Sequence, residues 1–495
     1  MAEEDMDWRE MRARLIAQDR QEKDPLTSDV ADPLTSDGFV YESPLIEQGT
    51  ILLGGTKQDF GFALRQQFFH KSVMLLLQHD DTFTKGVILN RPSALEVDGW
   101  RVWCGHGQVA EGGMFVGDDA AVGQLEINAL HSLEGFMADR LSTKVIKGVS
   151  YTSLAGAKAL VAAGQAMQSD FWVCVGYSGW RPGQLQMEYE SRDSWYMATA
   201  DGGTLLKELL QQAQELPPPS EGATTADVGI KTWERLMRGI GREADVLQSD
   251  GSLADRTLAE WVRAHLLPKT LRPTPSTPPP TVTTGSVMCM TVAAETGRPA
   301  DRVLLRDQFL HKALVVVLDE QPNGKMRAAV LNRPTANVMQ LNLPDSPRRL
   351  LPYGGNLELA NQLWLHHKSE LGGTAVGDSG VWVLPAAEVV EVLEEERATA
   401  SDLVLLSGVI ELPRAEAAGM ISAGEMRVVP PGEQLDALWP RVWALYEEDG
   451  EISDGTDIWW LASQCGSETL TVAPPSELAD EVLADWLKWF ARVRE

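Results

Sequence analysis

Residues that usually carry chemistry are sparse in this chain of 495 residues. No C-x-x-C pair, Walker loop, dinucleotide fingerprint or H-E-x-x-H motif is present, so we predict no cofactor. Cys104 and His106 are one possible pair of zinc ligands, but a structural site needs about four, so no metal is predicted. The four cysteines are scattered, which suits free thiols in a reducing compartment. They are Cys104, Cys174, Cys289 and Cys465.

Basic residues and long apolar runs are also scarce. The chain has 43 Lys and Arg against 71 Asp and Glu, a formal net charge of -28. Nucleic-acid binding draws on clustered Lys and Arg, so this charge counts against direct nucleic-acid contact. The longest apolar runs, such as 72–77 and 313–318, are strand-sized, far below the roughly 20 residues that cross a bilayer. We expect a soluble protein that does not contact membranes.

The N-terminal residues lack the features of a targeting segment. They are acidic, without the basic region and apolar core of a secretory signal and without the Arg- and Ser-rich composition of a transit peptide. The sequence therefore predicts a cytoplasmic protein. The plastid stroma is the alternative if a leader has been removed.

A proline- and threonine-rich stretch divides the chain. Residues 268–280 resemble a semi-rigid polyproline linker that does not pack. We predict a flexible N-terminal arm over 1–48, a first domain with a helical tail over 49–267, a linker over 268–284 and a second domain with its own tail over 285–495. The length of each domain suits one core.

The second domain repeats motifs of the first in the same order. We predict an internal duplication, because chance agreement at three ordered places is very improbable. The matched segments are 69–77 with 310–318, 87–94 with 329–336, and 253–262 with 478–487. Local patterns predict a β-hairpin from Phe68–His79 and Gly86–Pro92, and a helix within 151–167 that Ser153 caps.

The stretch 175–195 differs from ordinary core sequence. Gly176, Gly179 and Gly183 allow tight turns between aromatic and hydrogen-bonding side chains. These side chains either line a ligand pocket or form a rigid aromatic corner, and the sequence favours neither. The candidate residues are Tyr177, Trp180, Gln184, Glu188 and Trp195. The second domain lacks these residues in its counterpart, 405–413, so we expect the first domain to carry the function.

The motifs resemble the AlgH family, also called YqgE or UPF0301 (DUF179). The resemblance is specific over about 49–210 and degenerate over about 285–447. Its motif residues here are His70, Lys71, Ser72, Asn90, Arg91, Pro92, Gly112, Gly113, Gly176, Tyr177, Gly179, Trp180, Gly183, Gln184, Leu185, Glu188, Glu190 and Trp195. In both copies the proline of the family's Gly-Gly-Pro is replaced, by Met114 and Asn356.

The resemblance implies an α+β fold of two tandem domains, each a mixed, barrel-like curved sheet packed by helices. It also points to the plant and algal branch, many of whose members are plastid proteins. Motif residues that persist in both copies favour structural roles, and we predict such roles for His70, Asn90, Pro92 and the paired Gly112 and Gly113. The glycines of the stretch 175–195 are also assigned to structure.

Arg91 has two possible roles. Its guanidinium could hold a carboxylate or phosphate of a ligand, or it could pair with Glu188 or Glu190 within the fold. Arg333 persists in the copy without those glutamates, which favours structure.

Three functions remain open. The first is a non-catalytic binding or regulatory protein that acts through the Gly-Tyr-Ser-Gly-Trp loop on a protein partner or small ligand. The second is an enzyme acting on a small molecule in the first domain, with Glu188 or His70 as acid–base. Ser178 does not fit the Gly-x-Ser-x-Gly nucleophile pattern, so no nucleophile is evident and the binding function is favoured. The third, transcriptional control, is suggested by the bacterial family name, and the net charge counts against it.

Overall fold

The structure is a computed structural model that describes most of the chain in two units. It describes residues 7–23, 34–35, 38–56, 67–105, 108–109, 115–116, 126–192, 194–216, 226–267, 281–291, 301–341, 346–359, 362–448, 453–466 and 476–490. The chain divides into two compact units, Met1–Leu271 and Arg272–Glu495, here called the first and second units. Gly112 and Gly113 lie outside the described residues, as does the predicted linker core, 268–280.

The first unit mixes helices and strands. Its strands are β1 (Leu34–Thr35), β2 (Gly38–Glu42), β3 (Ile51–Gly54), β4 (Val73–His79), β5 (Thr84–Ile88), β6 (Glu96–Val97), β7 (Trp100–Gly105), β8 (Gln108–Val109), β9 (Phe115–Val116), β10 (Ile127–His131), β11 (Thr143–Ile146), β12 (Val149–Ser153), β13 (Trp172–Val175), β14 (Ser178–Trp180) and β15 (Trp195–Ala200). Its helices are α1 (Trp8–Lys23), α2 (Phe136–Leu141), α3 (Leu154–Ala162), α4 (Gln184–Arg192), α5 (Gly202–Glu215), α6 (Ala226–Gly239), α7 (Glu243–Ser249) and α8 (Leu253–His265).

The second unit has the same character. Its strands are β16 (Val287–Met290), β17 (Leu314–Glu320), β18 (Lys325–Val330), β19 (Pro334–Gln340), β20 (Arg348–Pro352), β21 (Leu363–His366), β22 (Thr374–Ala375), β23 (Trp382–Leu384), β24 (Val404–Leu406), β25 (Ile410–Pro413) and β26 (Met426–Val429). Its helices are α9 (Asp301–Leu305), α10 (Ala386–Glu394), α11 (Arg414–Ser422), α12 (Glu433–Asp436), α13 (Trp439–Ala444), α14 (Thr456–Gln464) and α15 (Glu477–Phe490).

Two main sheets form each unit. In the first they have the orders β1-β2-β15-β3-β4-β5-β14 and β11-β12-β10-β13-β7-β6, and in the second β25-β18-β17-β16-β26 and β22-β23-β21-β24. The α+β class is therefore correct. None of these sheets closes into a barrel, because each of their strand orders, taken over the described residues, ends in two different edge strands.

The β4–β5 hairpin lies within the larger sheet of the first unit. Met74 lies opposite Ile88 in the pairing of the two strands, which confirms the predicted hairpin. Because side chains alternate across a strand, neighbouring residues of β3 and β4 enter two different cores. Leu53, Val73 and Leu75 pack with Trp233 on one face, and Leu52, Met74 and Leu76 pack with Trp180 and Trp195 on the other. The sheet is thus buried on both faces.

The folded part begins earlier than the predicted arm allows. β2 pairs with β15, with Thr199 opposite Tyr41, so the sheet includes residues well before position 49. Helix α1 contacts this edge, and its Ala13 is buried with Phe39 and Tyr41. The alternation of Phe39 and Tyr41 with less buried neighbours is a strand pattern that the polar surroundings concealed.

Helix α3 begins where the sequence predicts. The Ser153 hydroxyl accepts a hydrogen bond from the Gly156 backbone N–H at 3.1 Å, which confirms the N-cap. In the part of the chain that the structure describes, no helix combines the length and apolar character that a membrane span requires.

Candidate functional site

The Gly-Tyr-Ser-Gly-Trp segment forms an edge strand followed by a helix. β13 leads through Gly176, at φ +78°, into β14, which pairs with β5 at the edge of the larger sheet. A second turn at Gly183, at φ +75°, leads into α4. Both conformations favour glycine, and a Cβ on Gly179 would come within 2.6 Å of the Phe83 ring. Each of the three glycines thus occupies a position where the backbone angle or a neighbouring ring disfavours a side chain.

Four of the five loop candidates form a closed polar cluster, here called the Glu188 corner (Trp180, Gln184, Glu188 and Trp195). Both indole N–H groups donate to Glu188 Oε2 at 3.0 Å. The Gln184 amide donates to Glu188 Oε1 at 3.0 Å, and its carbonyl oxygen accepts the Arg181 N–H at 3.1 Å. Each polar group of the corner thus has a partner without a ligand.

The two indole rings are also part of the core. Trp180 and Trp195 are buried and pack edge to face, with ring centroids 6.1 Å apart, and Phe69 packs against Trp195 at 5.6 Å. Leu185 and Met197 complete the surrounding cluster. This geometry is that of a rigid aromatic corner, the second of the two interpretations that the sequence leaves open.

A small cavity lies beside the loop. Its volume is about 10 Å³, room for one water molecule, whereas small-molecule sites span several hundred cubic ångströms. Ser178, Cys104 and Cys174 are among its lining residues, and burial raises the pKa of the Cys104 thiol. Within the described residues, no group of three or more His, Cys, Asp or Glu side chains is placed to hold a metal ion.

Tyr177 points away from the Glu188 corner. Its side chain is 40% exposed, packs edge to face against Phe83 at 6.2 Å between ring centroids, and lies 5.1 Å from Lys85 Nζ. Lys85 also forms an ion pair with Glu126. Tyr177 is therefore the loop candidate that is open to solvent.

Arg91 is buried and is not available to a surface ligand. Its guanidinium donates to the backbone carbonyls of Asn90, at 2.9 Å, and His70. Its partners are therefore backbone atoms rather than Glu188 or Glu190, so the predicted carboxylate pairing is wrong. Burial lowers the pKa of Arg91 to about 9.

Asn90 joins three parts of the first unit. Its carbonyl oxygen accepts the Val73 N–H at 2.7 Å, and its amide donates to the Lys71 and Gly229 carbonyls at 2.9 and 2.8 Å. These bonds tie β4 and the end of the hairpin to α6. Pro92, two residues later, forms an isolated bridge with Cys104.

His70 and Lys71 bind a carboxylate that the sequence motifs did not single out. His70 Nε2 lies 2.8 Å from Asp255 Oδ1, and Lys71 Nζ lies 2.9 Å from Oδ2. Because a carboxylate only accepts, we assign the His70 proton to Nε2. Burial lowers the pKa of His70. Burial alone would raise the pKa of Asp255, but the bonds from His70 and Lys71 outweigh it and lower that pKa.

Comparisons with known proteins identify the family of the chain. A family model described as AlgH-like matches residues 62–216, all within the first unit. A UPF0301 protein of Streptomyces avermitilis is 34% identical over 146 residues, which cover 72% of that protein and 28% of this chain. This chain belongs to the AlgH-like family.

Other relatives extend the match. A UPF0301 protein of Chlorobium phaeobacteroides is 25% identical over 212 residues, 95% of its length and 42% of this AlgH-like chain. Among solved structures, the match to AlgH from Pseudomonas aeruginosa spans 36% of this chain and 97% of the AlgH chain, with 16% identity and a TM-score of 0.23. The match to a protein of Corynebacterium diphtheriae spans 35% of this chain and 90% of that protein's chain, with 17% identity and a TM-score of 0.24.

The second unit of the AlgH-like chain has a corresponding latch, in which a buried histidine and a buried asparagine hold distant parts of the unit together. His311 Nε2 lies 2.8 Å from Asp480 Oδ1, and the Asn332 amide donates to Gly455 O at 2.7 Å. Trp459 lies beneath Lys312 as Trp233 lies beneath Lys71, with Nζ to ring centroid distances of 5.8 and 5.4 Å. Contacts common to both units fit the structural roles predicted for His70 and Asn90.

The Glu188 corner has no equivalent among the described residues of the second unit. Strand register places Leu412 on β25 where β14 has Trp180, and Met426 on β26 where β15 has Trp195. Counting forward along the chain from Trp180 and from Leu412 places Met420 at the position of Glu188. All three are buried in one apolar cluster. The second unit thus builds this part of the fold without a carboxylate or an indole.

The sequence contained one signal for the missed carboxylates. Asp255 and Asp480 occupy the same place in the repeated Leu-Ala-Asp of the two tails. Gly229 and Trp233 had a weaker signal, because their segment shares only the Gly-x-x-x-Trp spacing with Gly455 and Trp459 and the three residues between differ.

Proposed function

We propose that this AlgH-like protein is a non-catalytic binding protein that engages a partner protein through the Tyr177 surface (Tyr177, Phe83, Lys85 and Glu126). The observation that carries the proposal is the exposure of Tyr177 at the end of a loop whose other aromatic residues are buried. Tyrosine and tryptophan are enriched among the residues that dominate interface energies.

The Tyr177 ring is held before any partner arrives. Phe83 packs against it edge to face, and the Lys85 ammonium lies 5.1 Å from its centroid. Lys85 is itself fixed by its ion pair with Glu126 and its contact with the Tyr151 ring, 5.6 Å away. A ring already held in place loses little conformational freedom on binding, which supports a recognition role.

The Glu188 corner supports the same role by fixing the strand that follows Tyr177. Trp180 and Trp195 fix β14 and α4 through one carboxylate, and Tyr177 directly precedes β14. The second unit makes its counterpart of this corner from apolar residues alone. Among the described residues, only the first unit has this corner, and the second unit forms the same part of its fold without it. We therefore attribute the corner to a function of the first unit rather than to folding alone.

We further propose that the two units are copies of one ancestral domain and that the second serves as a scaffold. Strand register places Val409 where the first unit has Tyr177. Val409 is buried, and its backbone N–H and carbonyl exchange hydrogen bonds with Leu357, both at 2.9 Å. The second unit thus offers no exposed aromatic side chain at this described position.

The acid–base candidates do not support an enzyme to the same degree. The Glu188 oxygens accept three hydrogen bonds within the Glu188 corner, and His70 Nε2 is bonded to Asp255 in a buried site. Binding through Tyr177 needs neither group to be released from its partners.

The proposal is tested by affinity capture from native extract with three full-length baits: wild type, Tyr177→Ala and Phe136→Ala. Phe136 is the matched control, since it is also an exposed aromatic residue of the first unit but lies on α2. We expect partners recovered by wild type and Phe136→Ala to be lost with Tyr177→Ala. Equal recovery by wild type and Tyr177→Ala would refute the proposal, provided that both baits have the same melting temperature.

A further inference from the structure

Helix α1 is attached to the first unit by one of its faces. Ala13 is fully buried against Phe39 and Tyr41. Arg9 and Arg12 both form ion pairs with Glu47, and Arg9 also donates to the backbone carbonyl of Gln48. These contacts position the helix firmly and neutralise part of its positive charge.

The opposite face of α1 carries an apolar stripe, here called the α1 stripe (Trp8, Met11 and Leu15). The exposed fractions of these side chains are 74%, 38% and 53%. Their spacing of three and four residues places them on one side of the helix. Trp8 in particular leaves a large aromatic surface in water, which marks interaction sites more often than scattered exposed residues do.

We propose that the α1 stripe binds a second copy of this chain by packing two α1 helices antiparallel about a two-fold axis. An axis between Met11 and Arg12 places Trp8 of one copy against Leu15 of the other, at both ends of the contact. The same surface then serves both copies, as a two-fold interface requires. This contact is independent of the Tyr177 surface.

Charge favours a second copy as the occupant. Glu10 and Arg14 form an ion pair along the exposed side of α1. The antiparallel arrangement brings Glu10 of each copy within a turn of the partner's Arg14, so each charge meets its opposite. Among the side chains of α1 that the structure describes, the exposed side thus has one acid and one base, in a chain of net charge -28. Two acidic molecules meet there with less repulsion than a surface of average charge would give.

The size of the stripe indicates a weak dimer. Complete burial of the exposed parts of these three side chains in both copies removes about 800 Å² in total, below the size of standard specific interfaces, so we expect a dissociation constant of at least about 10 µM. Added salt should tighten the dimer, because it screens the repulsion between two acidic chains and leaves the apolar contact intact.

Sedimentation velocity of the full chain between about 1 and 200 µM tests the proposal, at low and at physiological salt. We expect a concentration-dependent dimer, and a weakening of at least about tenfold in the Trp8→Ala/Leu15→Ala variant. Phe136→Ala, which removes an equally exposed aromatic ring outside α1, should leave the dimer unchanged.

A charge exchange tests the orientation of the two helices. Glu10→Arg should weaken the dimer, and Glu10→Arg combined with Arg14→Glu should restore it. A chain that stays monomeric at the highest concentration and physiological salt would overturn the proposal. So would a dimer that Trp8→Ala/Leu15→Ala leaves intact. Failure of restoration would overturn the antiparallel arrangement.

Discussion

Replacement of Glu188 by Met, the residue at the equivalent position of the second unit, should destabilise the first unit. The change removes one acceptor shared by two buried indole N–H groups and leaves both donors without a partner. Each such loss costs about 1–3 kcal/mol, and the Gln184 amide can turn to water at small cost. Because Glu188 is only partly buried, we expect a total loss of about 2–4 kcal/mol.

Calorimetry of the full-length chain measures this loss. For a unit of this size a loss of about 2–4 kcal/mol lowers the melting temperature by roughly 5–15 °C. Hydrogen exchange of β14 and α4 assigns the change to the first unit. Glu188→Gln, which keeps one carbonyl acceptor, should lose about half as much.

Glu190→Met is the matched control for this prediction. Glu190 lies on the same helix, is exposed, and its carboxylate accepts from Gln186 one turn earlier. Its replacement should change stability by no more than about 0.5 kcal/mol. If Glu188→Met costs no more than Glu190→Met, the carboxylate does not hold the corner and the reasoning is wrong.

Three further predictions concern the buried latches and a helix glycine. Gly229→Ala places a Cβ 2.1 Å from the Asn90 carbonyl oxygen and should destabilise the first unit by about 2 kcal/mol or more in urea unfolding. Gly419 in α11 has open space around it, so Gly419→Ala should instead stabilise the second unit by about 0.5–1 kcal/mol. Hydrogen bonds from a histidine and a lysine lower the pKa of Asp480 from 3.8 to about 2. The stabilisation of the folded second unit by the Asp480 carboxylate is therefore present above about pH 4 and lost towards pH 2. The urea midpoints of Asp480→Asn and wild type should converge over that window. Burial lowers the pKa of His70, so the unfolded chain binds more protons and stability falls as pH drops below 6.5; His70→Gln should make that fall shallower.

Local features could be predicted from the sequence because their causes are local. The β4–β5 hairpin follows from two apolar runs, and the start of α3 follows from Ser153 before a helical pattern. The separation of Tyr177 from Trp180 was harder to predict. With three glycines nearby the segment has the composition of a loop, yet β14 is a strand, and its alternation turns Ser178 and Trp180 inward.

The buried latches could not be predicted because they join residues far apart in the chain. His70 and Asp255 are 185 positions apart, and Asn90 and Gly229 are 139 apart. Apolar periodicity indicates that a helix packs, but not which carboxylate meets which lysine. Lys71, at φ +47°, also adopts a backbone conformation that a lysine rarely takes, and the neighbouring residues do not indicate it.

The latches have a consequence for how the chain matures. Lys71 and Asn90 obtain partners from α6, from Ser249 at the end of α7, and from Asp255 in α8, all beyond the matched region that ends at residue 216. During synthesis, Lys71 therefore lacks Asp255 and Asn90 lacks Gly229 until the tail of the first unit has left the ribosome. A fragment cut at residue 216 would keep the recognisable motifs and lose the contacts that close them. Once residue 267 has emerged, every latch partner that the structure describes for Lys71 and Asn90 has been synthesised.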